Sequence, residues 1–354
     1  MDKDSIRKEI DSIDSKIIDL LSTRISYAKE IGKLKSEKGE EIYVPSREIL
    51  VFKNLLTKNA GRIEESALRA IYREVISASI SAEKKLVVSY LGPKATFTQQ
   101  AAVKNFGSSV DYRPMPSIPD VFTSVENKDA DYGVIPIENS TEGAVFHSMD
   151  MLRDSSLYIV GQIYMPIEHC LISRASTVSG IRKVCSKDQA IGQCREWIRR
   201  NIGNVEIEYA ESTTVAVKMA RDNPDIAAIG SQIAADYYGV PVLEKGIQDK
   251  KNNQTRFLVI GKNAVAKTAG VKYKTSLVIS VNNRPGALYD MLVPFNQANI
   301  NLTRIESRPS KTKAWSYNFF VDLEGHLEDD NVAEAVSVLK STLPSVKWLG
   351  SYPM

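Results

Sequence analysis

A polar group of side chains follows an apolar run near the middle of the chain. Residues 134–137 are apolar, and they are followed directly by Glu138, Asn139, Ser140 and Thr141. Ligands bind outside the carboxyl ends of strands in open α/β sheets, so these donors and this acid indicate a site for a small anionic molecule. A capped turn before a helix accounts for the same residues equally well.

A second polar group precedes an apolar run much later in the chain. Residues 253–257, with the sequence Asn-Gln-Thr-Arg-Phe, lead directly into Leu258, Val259 and Ile260. Runs of this kind predict strands. Two polar groups, each beside a predicted strand, indicate that both contribute to one cleft.

Cations share one face of the first amphipathic segment. Arg7, Arg24 and Lys35 recur at steps of three and four residues together with aliphatic side chains, and Arg47 follows. Burying unpaired positive charge is costly, so this face predicts an anionic partner. Taken singly, each cation fits the alternative of a register-setting or terminal position in a coiled coil.

Helices must position these cations. From residue 6 to residue 34 the apolar spacing predicts one long helix, which at 1.5 Å per residue would span more than roughly 40 Å. A helix of that length favours packing against a second copy, so we expect a homodimer. Helix signals resume at residues 45–48 and from residue 64 to about residue 85. Ser79 and Glu83 share the inner face of this third helix, where Glu83 pairs with arginine or, if protonated, donates a hydrogen bond; an exposed helix-end Glu is the alternative.

An α/β unit is predicted from residue 86 to about residue 260, because short β-branched runs alternate there with helices. The predicted strands cover residues 86–90, 131–137, 157–163, 183–185, 205–209, 226–229 and 257–260. This length of chain suits two lobes with a cleft between them. Residues 261–274 lack periodicity and are predicted to form a linker.

The end of the chain has the order β-α-β-β-α-β, which is ferredoxin-like. Its predicted elements are strands at 275–281, 300–307, 314–323 and 346–349 and helices at 286–298 and 330–343. The first turn, residues 282–286, places backbone donors at a helix amino terminus, where a carboxylate can bind. A simple turn is the alternative.

Composition limits the possible partners. The chain has 354 residues, 43% hydrophobic and 25% charged, which suits a globular protein of two or three domains. A net charge of +3 without a basic run argues against a nucleic-acid partner. The charged, amphipathic start predicts neither a secretory signal nor a membrane anchor, so we expect a cytoplasmic protein without a membrane partner. Scattered histidines and the separate Cys170, Cys185 and Cys194 predict no metal site, no histidine triad and no disulfide framework.

The motifs, taken in order, resemble the bifunctional chorismate mutase and prephenate dehydratase family over essentially the whole chain. The helical segment matches through Arg7-x-x-Ile10-x-x-Ile13-Asp14, Arg24, Ile31-Gly32-Lys33-x-Lys35 and Arg47-Glu48. The middle segment matches through Tyr90-Leu91-Gly92-Pro93, Thr96-Phe97, Ile135-Pro136-Ile137-Glu138-Asn139-Ser140, Gln189-x-x-x-Gln193-Cys194, Glu211-Ser212-Thr213 and Thr255-Arg256-Phe257. The last segment resembles an ACT regulatory domain through Arg284-Pro285-Gly286-Ala287-Leu288 and Glu306-Ser307-Arg308-Pro309.

The resemblance implies a multidomain protein with three units. Residues 1–85 would form an all-α chorismate mutase, and residues 86–262 a two-lobed α/β dehydratase similar to periplasmic binding proteins. Residues 273–354 would form an α+β, ferredoxin-like ACT domain.

For the mutase, the resemblance implies a concerted rearrangement of chorismate to prephenate. The pocket then has to hold a folded dianion and stabilise charge on its ether oxygen, without a nucleophile. Lys35 and Glu83 would be the catalytic donors, and Glu83 donates only when protonated. The substrate-binding residues would be Arg7 from a partner subunit, Arg24, Val44, Arg47, Glu48 and Ser79. Val44 stands where relatives often carry an acid, so the polar contact there is expected to be missing or replaced.

For the dehydratase, the resemblance implies conversion of prephenate to phenylpyruvate with loss of carbon dioxide and water. Aromatisation drives this reaction, so no cofactor is expected. Thr255 would be the catalytic residue, Glu138 a rival proton donor and Arg256 a carboxylate grip. The cleft would also be lined by Thr96, Asn139, Ser140, Thr141, Ser186, Gln193, Ser212 and Thr213. Ala95 replaces a glycine that is usual before Thr96, which leaves that loop's conformation open.

For the ACT domain, the resemblance implies feedback inhibition by L-phenylalanine bound between two copies. The effector-binding residues would be Asn283, Gly286, Ala287 and Leu288 of one copy and Glu306, Ser307 and Arg308 of the other. The expected partners are therefore chorismate, prephenate, L-phenylalanine and further copies of the chain, as a dimer or tetramer.

Two other functions fit the same sequence. The first is an arogenate or dual-specificity dehydratase joined to a mutase domain. The second is a bilobal module that binds anions without chemistry, because two-lobed folds often only close on a ligand.

Overall fold

Three helices open the chain in the computed structural model, which describes residues 2–309 and 317–354. They are α1 (Lys3–Lys38), α2 (Pro45–Asn59) and α3 (Glu65–Glu83). α1 begins where the Asp2 carboxylate accepts a hydrogen bond from the Ser5 amide, and it ends at Gly39, whose φ of 66° is left-handed. The predicted long helix and the two later helices are confirmed.

α1 exposes most of its apolar side chains. Within its 36 residues only Ala28 and Gly32 are buried, and both lie where α1 approaches α3. Nine large apolar side chains of α1 are each at least 46% exposed: Ile6, Ile10, Ile13, Ile17, Ile18, Leu20, Tyr27, Ile31 and Leu34. One copy of the chain therefore leaves an apolar helix surface open along α1.

The first lobe of the middle unit is built on a six-stranded sheet. Its strands are β1 (Val87–Leu91), β2 (Asp111–Met115), β3 (Tyr132–Asn139), β4 (Gly143–Ala144), β5 (Tyr158–Pro166) and β11 (Gln254–Gly261). The order is β2-β1-β3-β11-β5, with β4 paired to β3, and β11 runs antiparallel between β3 and β5. The helices of this lobe are α4 (Phe97–Phe106), α5 (Ile118–Glu126) and α6 (Phe146–Asp154).

The second lobe is built on a five-stranded sheet with the order β10-β6-β9-β7-β8. Its strands are β6 (Cys170–Ile172), β7 (Lys183–Ser186), β8 (Glu206–Tyr209), β9 (Ile226–Gly230) and β10 (Val242–Lys245). Its helices are α7 (Asp188–Gln193), α8 (Arg195–Asn201), α9 (Thr213–Asp222) and α10 (Gln232–Tyr238), with a 3-10 turn at Val178–Gly180. The chain crosses from the first lobe to the second after β5 and returns before β11. The two crossing segments are joined by a hydrogen bond from the Ile167 amide to the Asn253 carbonyl.

The last unit is a four-stranded antiparallel sheet with two helices. Its strands are β12 (Tyr273–Val281), β13 (Leu302–Pro309), β14 (Tyr317–Glu324) and β15 (Ser345–Pro353), and its helices are α11 (Ala287–Gln297) and α12 (Asp330–Thr342). The order β13-β14-β12-β15 is the one that a ferredoxin-like chain produces. The predicted succession of an all-helical part, a two-lobed α/β part and a ferredoxin-like part is confirmed.

The three parts share apolar cores. Tyr43 and Ile80 of the helical part are buried in one cluster with Tyr132 of the first lobe. The last unit buries Phe320 and Tyr352 in another cluster that contains strand residues of the same lobe. The first lobe is therefore sandwiched between the other two parts.

Some elements differ from the prediction. The short strands β2, β4, β6 and β10 were not expected, because they carry two to five residues without a long apolar run. The expected strand at 314–323 appears as β14 from Tyr317, and residues 314–316 lie outside the described part of the chain. The predicted linker 261–274 is observed over residues 262–272, whereas Gly261 ends β11 and Tyr273 and Lys274 begin β12.

Two further findings concern the described residues alone. No helix within residues 2–309 and 317–354 is both long and apolar enough to cross a bilayer. The three cysteines are buried free thiols, as expected.

Candidate active sites

Arg24 joins the first helix to the third. Its guanidinium donates to the Ser79 hydroxyl and to the Val75 carbonyl, the latter at 3.4 Å. Ser79 is buried, so its side chain points inward as predicted. The Arg24 guanidinium that bonds it points inward as well. This places a cation and a hydroxyl together between α1 and α3.

Lys35 and Glu83 form a second contact between the same helices. The Lys35 ammonium lies 3.1 Å from Glu83 Oε2 and also donates to the Ile42 carbonyl at 2.9 Å. Gly32 makes this approach possible, because a Cβ there would lie 2.9 Å from the Glu83 Cβ. A cation and a carboxyl group therefore lie side by side next to the Arg24 contact.

Glu48 is largely buried and is paired with Arg73, a residue that the sequence analysis did not identify. Arg73 Nη1 lies 2.7 Å from Glu48 Oε2, while Glu48 Oε1 is buried without a hydrogen-bond partner in the described part of the chain. Burial raises the pKa of the Glu48 carboxyl, and the Arg73 cation opposes that shift. Glu48 thus offers one free, buried acceptor oxygen.

The other predicted mutase residues make no side-chain contact with this group in the described part of the chain. Arg7 is 62% exposed and pairs with Asp4. Because 17 residues of helix separate it from Arg24, the two Cα atoms lie roughly 25 Å apart along α1, too far for one shared pocket. Arg47 is exposed. Val44 precedes α2 as its N-cap residue, without a side-chain hydrogen bond.

The two polar groups of the middle unit meet in one cleft, as predicted. Asn139, at the end of β3, donates through Nδ2 to Thr255 Oγ1 and to Asn253 Oδ1, both at 2.8 Å. Its Oδ1 accepts from the Thr141 hydroxyl at 2.6 Å. The Ser140 amide donates to the Gln254 carbonyl, and the Gln254 amide donates to the Ser140 hydroxyl. The carboxyl end of β3 and the start of β11 therefore form one bonded unit.

Thr255 is placed to donate a proton. It is 8% exposed, and its one described side-chain bond accepts the Asn139 amide, so the hydroxyl proton is not used within residues 2–309 and 317–354. An acceptor that enters the cleft can take it. This geometry fits a hydroxyl group that protonates a leaving group.

Gln193 links the second lobe to this unit. Its Nε2 lies 3.3 Å from Thr141 Oγ1, and its Oε1 accepts from Asn253 Nδ2 at 2.9 Å. The same Oε1 lies 2.9 Å from His169 Nε2, which places the proton of the neutral ring on Nε2. Burial lowers the pKa of His169, and its bond to Gln193 opposes that shift. The sequence analysis missed His169, whereas Asn253 belongs to the polar group of residues 253–257 that was predicted to contribute to the cleft.

Glu138 and Arg256 do not face the cleft, which corrects their predicted placement. Arg256 is 3% exposed and donates to Asp322 Oδ2 at 2.6 Å, on β14 of the last unit. Glu138 Oε2 lies 2.6 Å from Arg304 Nε, on β13. Successive side chains of a strand point to opposite faces of its sheet, so the neighbours of Asn139 and Thr255 must point away from the cleft.

Four further predicted cleft residues are used in other contacts. Thr96 and Ser212 accept backbone amides at the starts of α4 and α9, and Thr213 is the first residue of α9. Ser186 is buried and donates to the Ile229 carbonyl at 2.6 Å. Ala95, which replaces the usual glycine, has a left-handed φ of 63°. The backbone before Thr96 therefore has the conformation that favours glycine, although the residue is alanine.

A cavity of about 420 Å³ adjoins the cleft unit. Met165, one of its lining residues, lies directly opposite Thr255 on β5, so both side chains face the same side of the sheet. Lys104 and Lys245 also line it, and Phe97 provides an aromatic wall. The volume suits a small ring-containing molecule, and the two lysines supply positive charge that the Glu168 carboxylate, also in the lining, opposes in part.

The predicted effector residues occupy two regions of the last unit. Asn283, Gly286 and Leu288 are exposed at the turn before α11, with Ala287 half-buried. Ser307 is exposed on the edge strand β13. Glu306 and Arg308 alternate with it and face the middle unit, where Arg308 Nη2 lies 3.0 Å from Asp150 Oδ2. Only Ser307 of these three strand residues therefore points to the open side.

Comparisons with known proteins agree with the three parts of the fold. Family models match a chorismate mutase type II over residues 6–84, a prephenate dehydratase over 88–265 and an ACT domain over 275–340. These matches and the two sites define a multidomain enzyme with a regulatory domain.

Relatives cover the same order of parts. A bifunctional chorismate mutase/prephenate dehydratase of Aquifex aeolicus is 46% identical, covering 98% of this chain and 97% of that protein. The chain therefore belongs to the bifunctional chorismate mutase/prephenate dehydratase family.

Two solved structures resemble the later part of the chain. The prephenate dehydratase of Arthrobacter aurescens in complex with L-Phe is 30% identical, with a TM-score of 0.71 over 76% of this chain and 90% of that one. A structure described as a quorum quenching acylase, GqqA, is 27% identical, with a TM-score of 0.69 over 75% of this chain and 97% of that one.

Proposed function

We propose that the chain converts chorismate to prephenate between α1 and α3, and prephenate to phenylpyruvate in the cleft between the two lobes, as an enzyme of L-phenylalanine biosynthesis. The observation that carries the proposal is the bonded unit of Asn139, Thr255 and Asn253, which Gln193 reaches from the opposite lobe. This unit provides a proton donor in a cleft that can close.

The mutase step needs charge and shape rather than a nucleophile. Arg24 binds a carboxylate of chorismate, exchanging its present bonds to Ser79 and Val75 for the substrate. Lys35 and protonated Glu83 donate to the ether oxygen, where negative charge develops in the transition state. The free buried oxygen of Glu48 accepts the substrate hydroxyl, and Arg73 holds that carboxylate in place.

The dehydratase step needs one proton and a grip on two carboxylates. Thr255 gives its proton to the departing hydroxyl, which leaves as water, while the ring carboxylate leaves as carbon dioxide and its bonding electrons complete the aromatic ring. A water molecule then reprotonates the Thr255 oxygen and becomes hydroxide, which the solvent neutralises, so the reaction consumes one proton overall. Asn139 holds the Thr255 oxygen throughout, because its amide already donates to that oxygen. The placement of Glu138 behind the sheet speaks against it as the donor.

Lys104 and Lys245 replace Arg256 as the proposed carboxylate grips. Both line the cavity on the Thr255 side of the sheet, whereas Arg256 is committed to Asp322 on the opposite side. A dianion entering the cavity meets cations only at these two lining positions. Thr96, Ser186, Ser212 and Thr213 stay predicted cleft residues of secondary importance, since their hydroxyls already have backbone partners or lie at a helix start.

The functional test supplies substrates to the full chain. Purified protein given chorismate should form prephenate and then phenylpyruvate, without added metal or cofactor. Protein given prephenate alone should form phenylpyruvate, and arogenate should react more slowly. Conversion of neither substrate would contradict the proposal and favour an anion-binding module, while faster turnover of arogenate would assign the alternative dehydratase specificity.

Two copies of the chain complete the mutase pocket in this proposal. The open apolar surface of α1 supports a homodimer, and the distance of Arg7 from Arg24 supports its entry into a partner's pocket. Light scattering should give a mass of two or four chains of 39.3 kDa. A monomer that retains full mutase activity would contradict this part of the proposal.

Feedback control belongs to the ACT domain. The similar Arthrobacter structure holds L-Phe, which supports L-phenylalanine as the effector of this chain. We place it between two copies, against Asn283, Gly286, Ala287 and Leu288 of one and Ser307 of the other, with Glu306 and Arg308 supporting that strand from behind. The three functional units would cover residues 1–85, 86–262 and 273–354. A cytoplasmic location stays a prediction.

A further inference from the structure

The strands β3 and β11 each carry two adjacent residues whose side chains point to opposite faces of the sheet. On β11, Thr255 faces the cleft and Arg256 faces the ACT sheet; on β3, Asn139 faces the cleft and Glu138 faces the ACT sheet. Consecutive Cα atoms lie about 3.8 Å apart, so a shift of either rear residue is passed directly to its cleft neighbour.

Arg256 fixes β11 to the ACT domain. Its Nη1 donates to Asp322 on β14, and its Nη2 donates to the Tyr352 hydroxyl on β15 at 2.8 Å. Ser276 on β12 bonds both of these partners. A buried guanidinium is tolerated only when it is paired and hydrogen-bonded, so the position of Arg256 depends on three strands of the ACT sheet.

Glu138 fixes β3 to the ACT domain at a second point. Its Oε2 lies 2.6 Å from Arg304 Nε, and its Oε1 lies 4.0 Å from Arg256 Nη1. The Arg304 side chain is 14% exposed and the Glu138 side chain 31%, so this ion pair is partly shielded from solvent. Glu138 therefore lies between a cation of its own sheet and a cation of the ACT domain.

The strand that carries Arg304 also contacts the segment beyond the cleft loop. Arg308, four residues further along β13 and on the same face, reaches Asp150 of α6 and lies 4.4 Å over the Phe146 ring. Residues 138–150, which include Asn139, Ser140 and Thr141, are thus contacted near both ends by β13. Ser307 points to the other, open side of the same strand.

We propose that Arg256 and Glu138 are positioning residues for the dehydratase site, and that Arg304 makes the geometry of Asn139 and Thr255 depend on the state of the ACT domain. The inference rests on the proposed function of the cleft. An effector bound at the open side of β13 moves Arg304, Glu138 follows, and the bond from Asn139 to the Thr255 oxygen changes. A displacement of about 1 Å at a reacting group is enough to slow a reaction by about a hundredfold.

The experiment breaks the Arg304 contact without touching the cleft. Arg304→Gln is compared with Arg304→Lys, which keeps the charge, and with Arg200→Gln, which removes an exposed ion pair on α8. For each full-length variant, we would measure prephenate turnover, L-phenylalanine binding by calorimetry, inhibition by L-phenylalanine, chorismate turnover and thermal melting.

The expected result separates effector binding from effector response. Arg304→Gln should lower the dehydratase kcat more than it changes KM, still bind L-phenylalanine, and respond to it about tenfold less than the unmodified protein. Arg304→Lys should keep more of the dehydratase kcat and more of the response to L-phenylalanine than Arg304→Gln does. Mutase turnover should be unchanged, and Arg200→Gln should behave as the unmodified protein.

Glu138→Gln tests the same contact from the dehydratase side. If the contact is the coupling element, the double variant Arg304→Gln/Glu138→Gln should be no more impaired than either single variant. Additive losses would overturn the inference, as would unchanged inhibition in Arg304→Gln or a loss of L-phenylalanine binding that matches the loss of inhibition. Failure of the unmodified protein to turn over prephenate would instead refute the proposed function on which the inference rests.

Discussion

At the scale of single residues, Glu83 has two uses that exclude each other. In the ligand-free pocket its carboxyl group accepts a contact from Lys35, as an ionised group does, whereas donation to the substrate ether oxygen requires the proton. Glu83 therefore cannot pair with Lys35 as an anion and donate to the substrate at the same time.

We expect Glu83→Gln to keep mutase kcat/KM, because the amide always carries a donor for the ether oxygen, and Glu83→Ala to lose most of it. The measurement is chorismate turnover for both variants and the unmodified protein. Unchanged turnover in Glu83→Ala would remove Glu83 as a donor.

His169 is expected to make the dehydratase lobes less stable in acid. Burial lowers its pKa below the ordinary value of about 6.5, so the unfolded chain binds the proton more readily than the folded one. The stability that depends on neutral His169 is present above about pH 6.5 and is lost as the pH falls below it.

Urea unfolding between pH 5 and pH 7.5 tests this expectation. His169→Gln should show a smaller loss of unfolding free energy over that range, and the exposed His147→Gln should follow the unmodified protein. A slope that is unaltered by the His169 substitution would show that other groups cause the acid sensitivity.

Side-chain direction is the residue-scale property that the sequence left open. The motifs predicted that Asn139 and Thr255 share a cleft, and their bond at 2.8 Å agrees. They also placed Glu138 and Arg256 there, because residues adjacent in a motif were treated alike. Only the strand register shows that these two face the ACT domain. The role of Arg73 could not be predicted, because in the sequence it resembles any surface cation of an amphipathic helix.

At the scale of elements, the α1–α3 contact depends on Gly32. We expect Gly32→Ala to destabilise the protein by about 1–2 kcal/mol, since the added Cβ would press on the Glu83 backbone at 3.0 Å and the better helix propensity of alanine offsets only part of that cost. Separation of the helices should also lower mutase activity, because Lys35 moves away from Glu83.

Gly192→Ala is the matched control for this substitution. Gly192 lies in α7, and a Cβ there would meet no atom within 4 Å. Melting temperature and chorismate turnover should therefore be kept in this variant and reduced in Gly32→Ala. Equal melting temperatures for the two variants would contradict the close helix approach.

Elements with strong periodicity were predictable, and short ones were not. The pattern of α1 extends over 36 residues, so its spacing is unambiguous. β6 has three residues and β4 has two, too few for any period to be detected. Their place in the sheets is decided by pairing with distant strands, which is a tertiary property.

At the scale of the whole molecule, the mutase helices are not independent of the dehydratase. Tyr43, Ile76 and Ile80 are each at most 6% exposed, and they lie in one cluster with the first lobe. Uncovering a buried side chain of this size costs about 1.5–3 kcal/mol. The order of the parts was evident from the motifs, but this shared core was not, because local patterns do not record which surfaces meet.

A fragment of residues 1–85 should therefore be impaired. We expect a lower melting temperature and lower chorismate turnover than in the full chain, because the fragment exposes the three side chains that the first lobe covers. Circular dichroism and a chorismate assay on both proteins measure this. A fragment with full activity and unchanged melting temperature would show that the shared core contributes nothing to the mutase.

The central claim is that one chain carries two separate active sites, with Thr255 serving only the second. The direct measurement supplies chorismate to Thr255→Ala and follows both products over time, with Thr255→Ser as the variant that keeps the hydroxyl. In Thr255→Ala, prephenate should accumulate at the unmodified rate, while phenylpyruvate formation falls by at least about a hundredfold. Thr255→Ser should retain part of the phenylpyruvate formation. Unimpaired phenylpyruvate formation in Thr255→Ala, or loss of both products together, would contradict the account.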